Sequence, residues 1–104
     1  MNKFIDENVF SVGRMKSGRL YVELNSKVGW EGFPGYAEEF VRLFSGEVVC
    51  RSDSADARVW EVVINNQVLR LVYEDFPVMI SLESKTDGGD EFIEGLRVFI
   101  EDNK

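Results

Sequence analysis

Histidine is missing altogether from these 104 residues, and cysteine occurs once, as Cys50. Without histidine the chain lacks the side chain most often used for acid–base chemistry near neutral pH. Ser-His-Asp and Cys-His arrangements are excluded, and no His/Cys cluster is available for zinc. A lone thiol cannot close an internal disulfide, so nothing points to an oxidising compartment. Cys50 lies in the apolar run Val48-Val49-Cys50 and reads as a small buried hydrophobe. No apolar run approaches the roughly 20 residues that span a bilayer. The opening stretch, Met1-Asn2-Lys3-Phe4-Ile5-Asp6-Glu7, has no apolar core of signal-peptide length. These absences lead to the expectation of a cytoplasmic protein. Basic residues are also scarce, with 12 Lys and Arg against 19 Asp and Glu and a formal net charge of -7. They are scattered along the chain, whereas phosphate contacts and anionic membrane surfaces need clustered Lys and Arg. Neither nucleic acid nor membrane is an expected partner.

What is present is a folding composition. Apolar residues make up 44% of the chain, with 8 Phe, 3 Tyr and 2 Trp. A chain of this length buries roughly two-thirds of its unfolded surface without staples. One domain over residues 1–104 is the expectation, and no repeat, low-complexity tract or linker interrupts it.

Two strands are expected first, near Val9 to Met15 and Arg19 to Asn25, joined by the turn Lys16-Ser17-Gly18. In the second, Leu20, Val22 and Leu24 alternate with Tyr21 and Glu23, the period of a half-buried strand. A Gly- and aromatic-rich loop follows, Gly29 to Tyr36. The spacing of Tyr36, Phe40, Leu43 and Phe44 predicts a helix from Pro34 or Gly35 to Ser45. Gly46 suits its left-handed C-terminal position. Glu47 to Arg51 is a short β-type run, and Ser52 to Asp56 a polar loop. A meander then follows: Arg58 to Ile64, the turn Asn65-Asn66, Val68 to Glu74, the turn Asp75-Phe76-Pro77, and Val78 to Lys85. Thr86 to Gly89 breaks the pattern. Asp90 to Glu101 reads as a second amphipathic helix, with Phe92, Ile93, Leu96, Phe99 and Ile100 on its stripe and Asp87 or Asp90 as its cap. Gly95 within it suggests close packing on the sheet.

The order β-β-α-β-β-β-β-α, with strands of alternating polarity, defines an α+β two-layer sandwich. Two amphipathic helices cover one face of an antiparallel sheet. The expected core comprises Leu20, Val22 and Leu24; Phe40, Leu43 and Phe44; Val62, Leu69, Leu71, Ile80 and Leu82; and Phe92, Leu96 and Phe99.

Four constellations carry possible chemistry. The adjacent carboxylates Glu74-Asp75 and Asp90-Glu91 read as a solvated turn and a helix N-terminus, so no catalytic residue is expected. Asp53, Asp56 and the stretch Asp87-Gly88-Gly89-Asp90 offer oxygen ligands but do not follow a calcium-loop pattern, so no metal or other cofactor is expected. Trp30, Phe33 and Tyr36 read either as a lid folded onto the core or, for Trp30 and Tyr36, as exposed interface anchors. Finally, Asp53 and Asp56 precede the meander and Glu74 and Asp75 end its second strand. In an antiparallel meander these four meet at one edge, either as solvation or as a patch for a basic partner.

By its size, acidity, lack of catalytic residues and meander-plus-helix layout, the chain resembles small bacterial immunity proteins. These are the cognate inhibitors of contact-dependent growth-inhibition or type VI effector toxins. The stretch Val59-Trp60-Glu61-Val62 … Leu71-Val72-Tyr73-Glu74-Asp75 is also similar to small uncharacterised bacterial domains. The resemblance implies a protein that blocks a basic toxin, such as a nuclease, through its acidic surface. Steering between opposite charges raises association to the order of 10⁸ M⁻¹s⁻¹ at low salt. The alternative is a non-catalytic binding or regulatory module for another partner, with a small ligand carrier as a third reading.

Overall fold

The computed structural model describes residues 4–102. Six antiparallel strands form one sheet: β1 (Ser11–Arg14), β2 (Leu20–Asn25), β3 (Glu47–Asp53), β4 (Ala57–Ile64), β5 (Gln67–Asp75) and β6 (Val78–Ser84). Helix α1 (Phe33–Leu43) follows β2 and helix α2 (Asp87–Asp102) follows β6. The spatial order is β1-β2-β6-β5-β4-β3, so the N-terminal hairpin adds to the meander through β2 and β6. The α+β class and the element order are those expected from the sequence.

Period-2 alternation decides which side chains go inward. Val22, Val62, Leu69, Leu71, Ile80 and Leu82 are fully buried on one face of the sheet. Both helices lie on that face and complete a two-layer core with it. On the opposite face, Glu61 receives Lys85 at 2.8 Å and Arg70 at 3.9 Å, an ion-pair strip over the central strands. The turn joining β4 and β5 is built by Asn65 (φ 53°) and Asn66 (φ 63°). This is the left-handed pair that matches strand twist in a two-residue hairpin.

The helices differ in phase from the sequence reading. Helix α1 begins at Phe33 and buries Phe33, Tyr36, Ala37, Phe40 and Val41. Its stripe therefore leaves Leu43 outside the core and Phe44 only partly covered. Helix α2 buries Gly89, Ile93, Leu96 and Ile100, so Phe99 falls on an exposed flank and Phe92 is half-buried. It begins at Asp87, with Gly88 and Gly89 inside its first turn. Side chains there would collide with Gln67 and Ser84, so this turn approaches the sheet too closely for a Cβ. The cap is Thr86, whose Oγ1 accepts from the Gly89 N–H at 2.9 Å, rather than Asp87 or Asp90.

Helix α1 ends in a Schellman arrangement: Gly46 N–H donates to the Val41 carbonyl at 2.8 Å and Ser45 N–H to that of Arg42 at 3.1 Å. Ser45, not Gly46, takes the left-handed conformation (φ 56°). Gly46 is there for space, because a Cβ would run into the Val63 carbonyl oxygen. Cys50 is exposed rather than buried. It lies on the edge strand beyond a bulge between Val48 and Cys50, opposite Glu61, on the face away from the helices.

Candidate functional site

The β4–β5 hairpin carries a distinctive surface at each end. At the open end its register sets Ala57 opposite Glu74 and Arg58 opposite Tyr73. The Asp75 N–H donates to the Asp56 carbonyl at 3.2 Å, tying the β3–β4 turn to the end of β5. Asp53, Asp56, Glu74 and Asp75 are thereby brought to the same edge of the molecule.

They are not equivalent. Asp53 accepts from the indole N–H of buried Trp60 at 2.9 Å, and its other oxygen lies 3.4 Å from Arg58 Nη1. Asp75 accepts from the Tyr73 hydroxyl at 2.7 Å, and that bond, with burial, raises the Tyr73 pKa. Two of the four acids thus satisfy polar atoms of buried aromatics, a need that arises from the cost of an unpaired buried donor. Asp56 and Glu74 are exposed and make no ion pair among the described residues. Arg58, beside Asp53, also stacks on the aromatic lid, its Cζ 4.0 Å from the Trp30 ring centroid.

The aromatic segment packs onto the core as a lid. Trp30 meets Tyr73 edge-on at 5.9 Å between centroids and is half-buried. Phe33 packs edge-on against Trp60 at 5.1 Å. Tyr36 is buried and its hydroxyl donates to the Phe4 carbonyl at 2.8 Å, so it cannot serve as the interface anchor considered for it. Burial pushes that hydroxyl well above the ordinary tyrosine range.

The aromatic that does protrude is Phe76, 88% exposed at the tip of the β5–β6 turn, directly after Glu74 and Asp75. The sequence contained the signal. In a two-residue turn between two strands neither turn side chain continues the alternation, so a large apolar residue there has no core position to occupy. The open end therefore combines free carboxylates with one exposed ring.

At the other end, beside the Asn65-Asn66 turn, Phe44 at the end of α1 meets Phe92 of α2 edge-to-face at 5.1 Å. A groove of about 620 Å³ opens there, with Leu43 and Phe99 on its lips. Gly95, Leu96, Phe92 and Phe44 also line it. Gly95 does not mark close packing, since a Cβ on it would meet nothing within 4 Å. Sequence reading missed this groove because it assigned Leu43 and Phe99 to the core.

Neither carboxylate pair considered for chemistry forms a paired site. Glu74 and Asp75 project to opposite faces of β5. Asp90 accepts from the Leu20 N–H at 3.0 Å and lies 3.2 Å from Arg19 Nη1; the backbone bond, foremost, holds its pKa below the usual carboxylate range. Among the described residues no group of three or more His, Cys, Asp or Glu is placed to hold a metal ion. No helix among them is long and apolar enough to cross a membrane.

This sheet-and-two-helix chain matches one family model over residues 10–98, described as a protein of unknown function (DUF3630). The chain belongs to that family, and the matched span contains the whole acidic end and most of the groove. No curated protein and no solved structure matches the chain.

Proposed function

We propose that this chain is a non-catalytic binding protein for a basic protein partner, and that its role is to neutralise a toxin in the cytoplasm of a bacterium. The observation that carries the reading is the open end of the β4–β5 hairpin, where Phe76 stands exposed beside the free carboxylates Asp56 and Glu74. Exposed acids steer a basic surface into contact, and a protruding ring supplies the desolvated anchor that slows its release. The net charge of -7 acts in the same direction at longer range. A nuclease toxin, whose cleft is built to hold phosphate, has the complementary charge. A basic partner of another kind would make the chain a binding or regulatory module using the same surface.

The test is binding to the product of the gene adjacent to its own, at low and at physiological salt. Association should slow steeply as salt rises, because exposed charges are screened beyond about 8 Å at physiological ionic strength. The dissociation rate should change less. An adjacent product that fails to bind would sink the toxin-neutralising role. Binding that ignores salt would sink the acidic-surface mechanism.

A further inference from the structure

We infer that the groove between α2, the C-terminal end of α1 and the Asn65-Asn66 turn is a second docking site, shaped for a basic amphipathic helix of the partner protein. The inference rests on the reading of that partner as a basic protein. Two observations on the groove itself motivate it. Leu43 and Phe99, on its two lips, are 51% and 50% exposed, although each belongs to the apolar side of its helix. Gly95 lies between them, in the middle of α2, where glycine costs about 1 kcal/mol against alanine. No packing neighbour requires that glycine, since its missing Cβ would face open space. Any longer side chain at position 95 would occupy the groove.

Shape and charge select the occupant. The groove is open, walled by α2 on one side and, on the other, by Leu43 and Phe44 at the end of α1 with Asn65 and Gln67 of the hairpin turn, whereas small-ligand sites enclose most of the ligand's surface. A helix lying lengthwise meets both walls and fills the gap with residues at i, i+3 or i+4, and i+7. Of the six carboxylates on α2, Asp87 and Asp90 are held by Arg19 at 2.6 and 3.2 Å and face away from the groove lining, which takes only Glu91 from that helix's acids. The helix has one arginine. That arginine, Arg97, is already paired with Glu94 at 2.7 Å and Glu101 at 3.6 Å. Glu91 lines the groove and Glu47 lies just beyond Phe44, both without an ion pair among the described residues. Among the described residues no Lys or Arg lines the groove. Apolar anchors flanked by Lys or Arg therefore fit it. The acidic end is at the opposite end of β4, an eight-residue strand, so one partner can engage both surfaces and the two can be tested separately.

The probe is a synthetic helix of about 18 residues, long enough for five turns, made of Leu and Lys in amphipathic order. Its counterpart has Glu in place of Lys. Each is titrated into the isotope-labelled full chain and followed by amide chemical shifts. The Lys helix should shift Phe92, Gly95 and Leu96. Gly95→Leu, which fills the groove, should weaken binding about tenfold or more, as loss of an anchor contact does, and Leu43→Ala should weaken it as well. The Glu helix should bind at least about tenfold more weakly, and joint reversal of Asp56 and Glu74 to Lys should leave the groove shifts in place. Absence of shifts with the Lys helix overturns the inference, as does unchanged binding to both groove variants. Equal binding of the two helices does so too. Shifts confined to the Phe76 end would remove the groove while leaving the basic-partner reading intact. A free chain that sediments as a dimer, dissociated by Gly95→Leu, would assign the groove to a second copy and overturn the inference.

Discussion

The two ends of the β4–β5 hairpin use the same residue types in opposite ways. At the open end, Asp53 and Asp75 are held by the buried groups of Trp60, Arg58 and Tyr73, while Asp56 and Glu74 make no ion pair among the described residues. At the Asn-Asn end, Leu43 and Phe99 lie on the apolar sides of their helices yet are about half exposed, 51% and 50%. Acidity counted along the chain thus overstates the free charge at one end, and apolar periodicity overstates the core at the other. Among the acids, what distinguishes a structural residue from an available one is whether a buried neighbour needs it.

Leu96→Ala should cost about 3 kcal/mol, a large-to-small change in the core. Leu43→Ala, on the lip, should stay within about 0.5 kcal/mol. Chemical denaturation of the two variants checks this, and equal losses would mean the lip is core. At the open end, Asp53→Ala should cost about 2 kcal/mol by stranding the Trp60 indole N–H and Arg58. Glu74→Ala should change stability by no more than about 0.5 kcal/mol. Similar values for the two would erase the distinction between engaged and free acids.

Gly95→Ala should raise stability by about 1 kcal/mol, because it adds helix propensity without a clash; a loss would mean that the backbone there is packed. Acid titration addresses the start of α2. The folded-state pKa of Asp90 is depressed. Its contribution is therefore present above the unfolded carboxylate value of about 3.9 and is lost as pH falls through the lower folded value. Glu83 acts oppositely: burial raises its pKa, so its ionisation subtracts stability as pH rises. Denaturation midpoints from neutral to acid pH should fall less steeply in Asp90→Asn than in the parent chain.

The strands were legible because each buries one face, and a period of two leaves a single choice of side. Leu20, Val22 and Leu24 declare theirs without ambiguity. Helix phase was harder. Phe33, Tyr36, Phe40, Leu43 and Phe44 fit two overlapping stripes, and only packing on β3 and β4 selects the one led by Phe33. Cys50 was misread because a bulge in an edge strand reverses the facing of the residues beyond it. The gathering of Asp53, Asp56, Glu74 and Asp75 is a consequence of hairpin topology and was foreseen. Which of them remain free was not, since that depends on where the Trp60 N–H and the Tyr73 hydroxyl point. Phe76 was legible in principle but passed as a turn residue.

The most direct test of the central claim is the kinetics of binding the adjacent-gene product with two variants, Phe76→Ala and the joint Asp56→Lys, Glu74→Lys. The charge reversal should slow association about tenfold at low salt and leave dissociation nearly unchanged. Phe76→Ala should instead speed dissociation about thirtyfold, the effect of losing an anchor worth about 2 kcal/mol. A partner that binds both variants with the parent's rates, at either salt concentration, would contradict the claim that this end is where the partner docks.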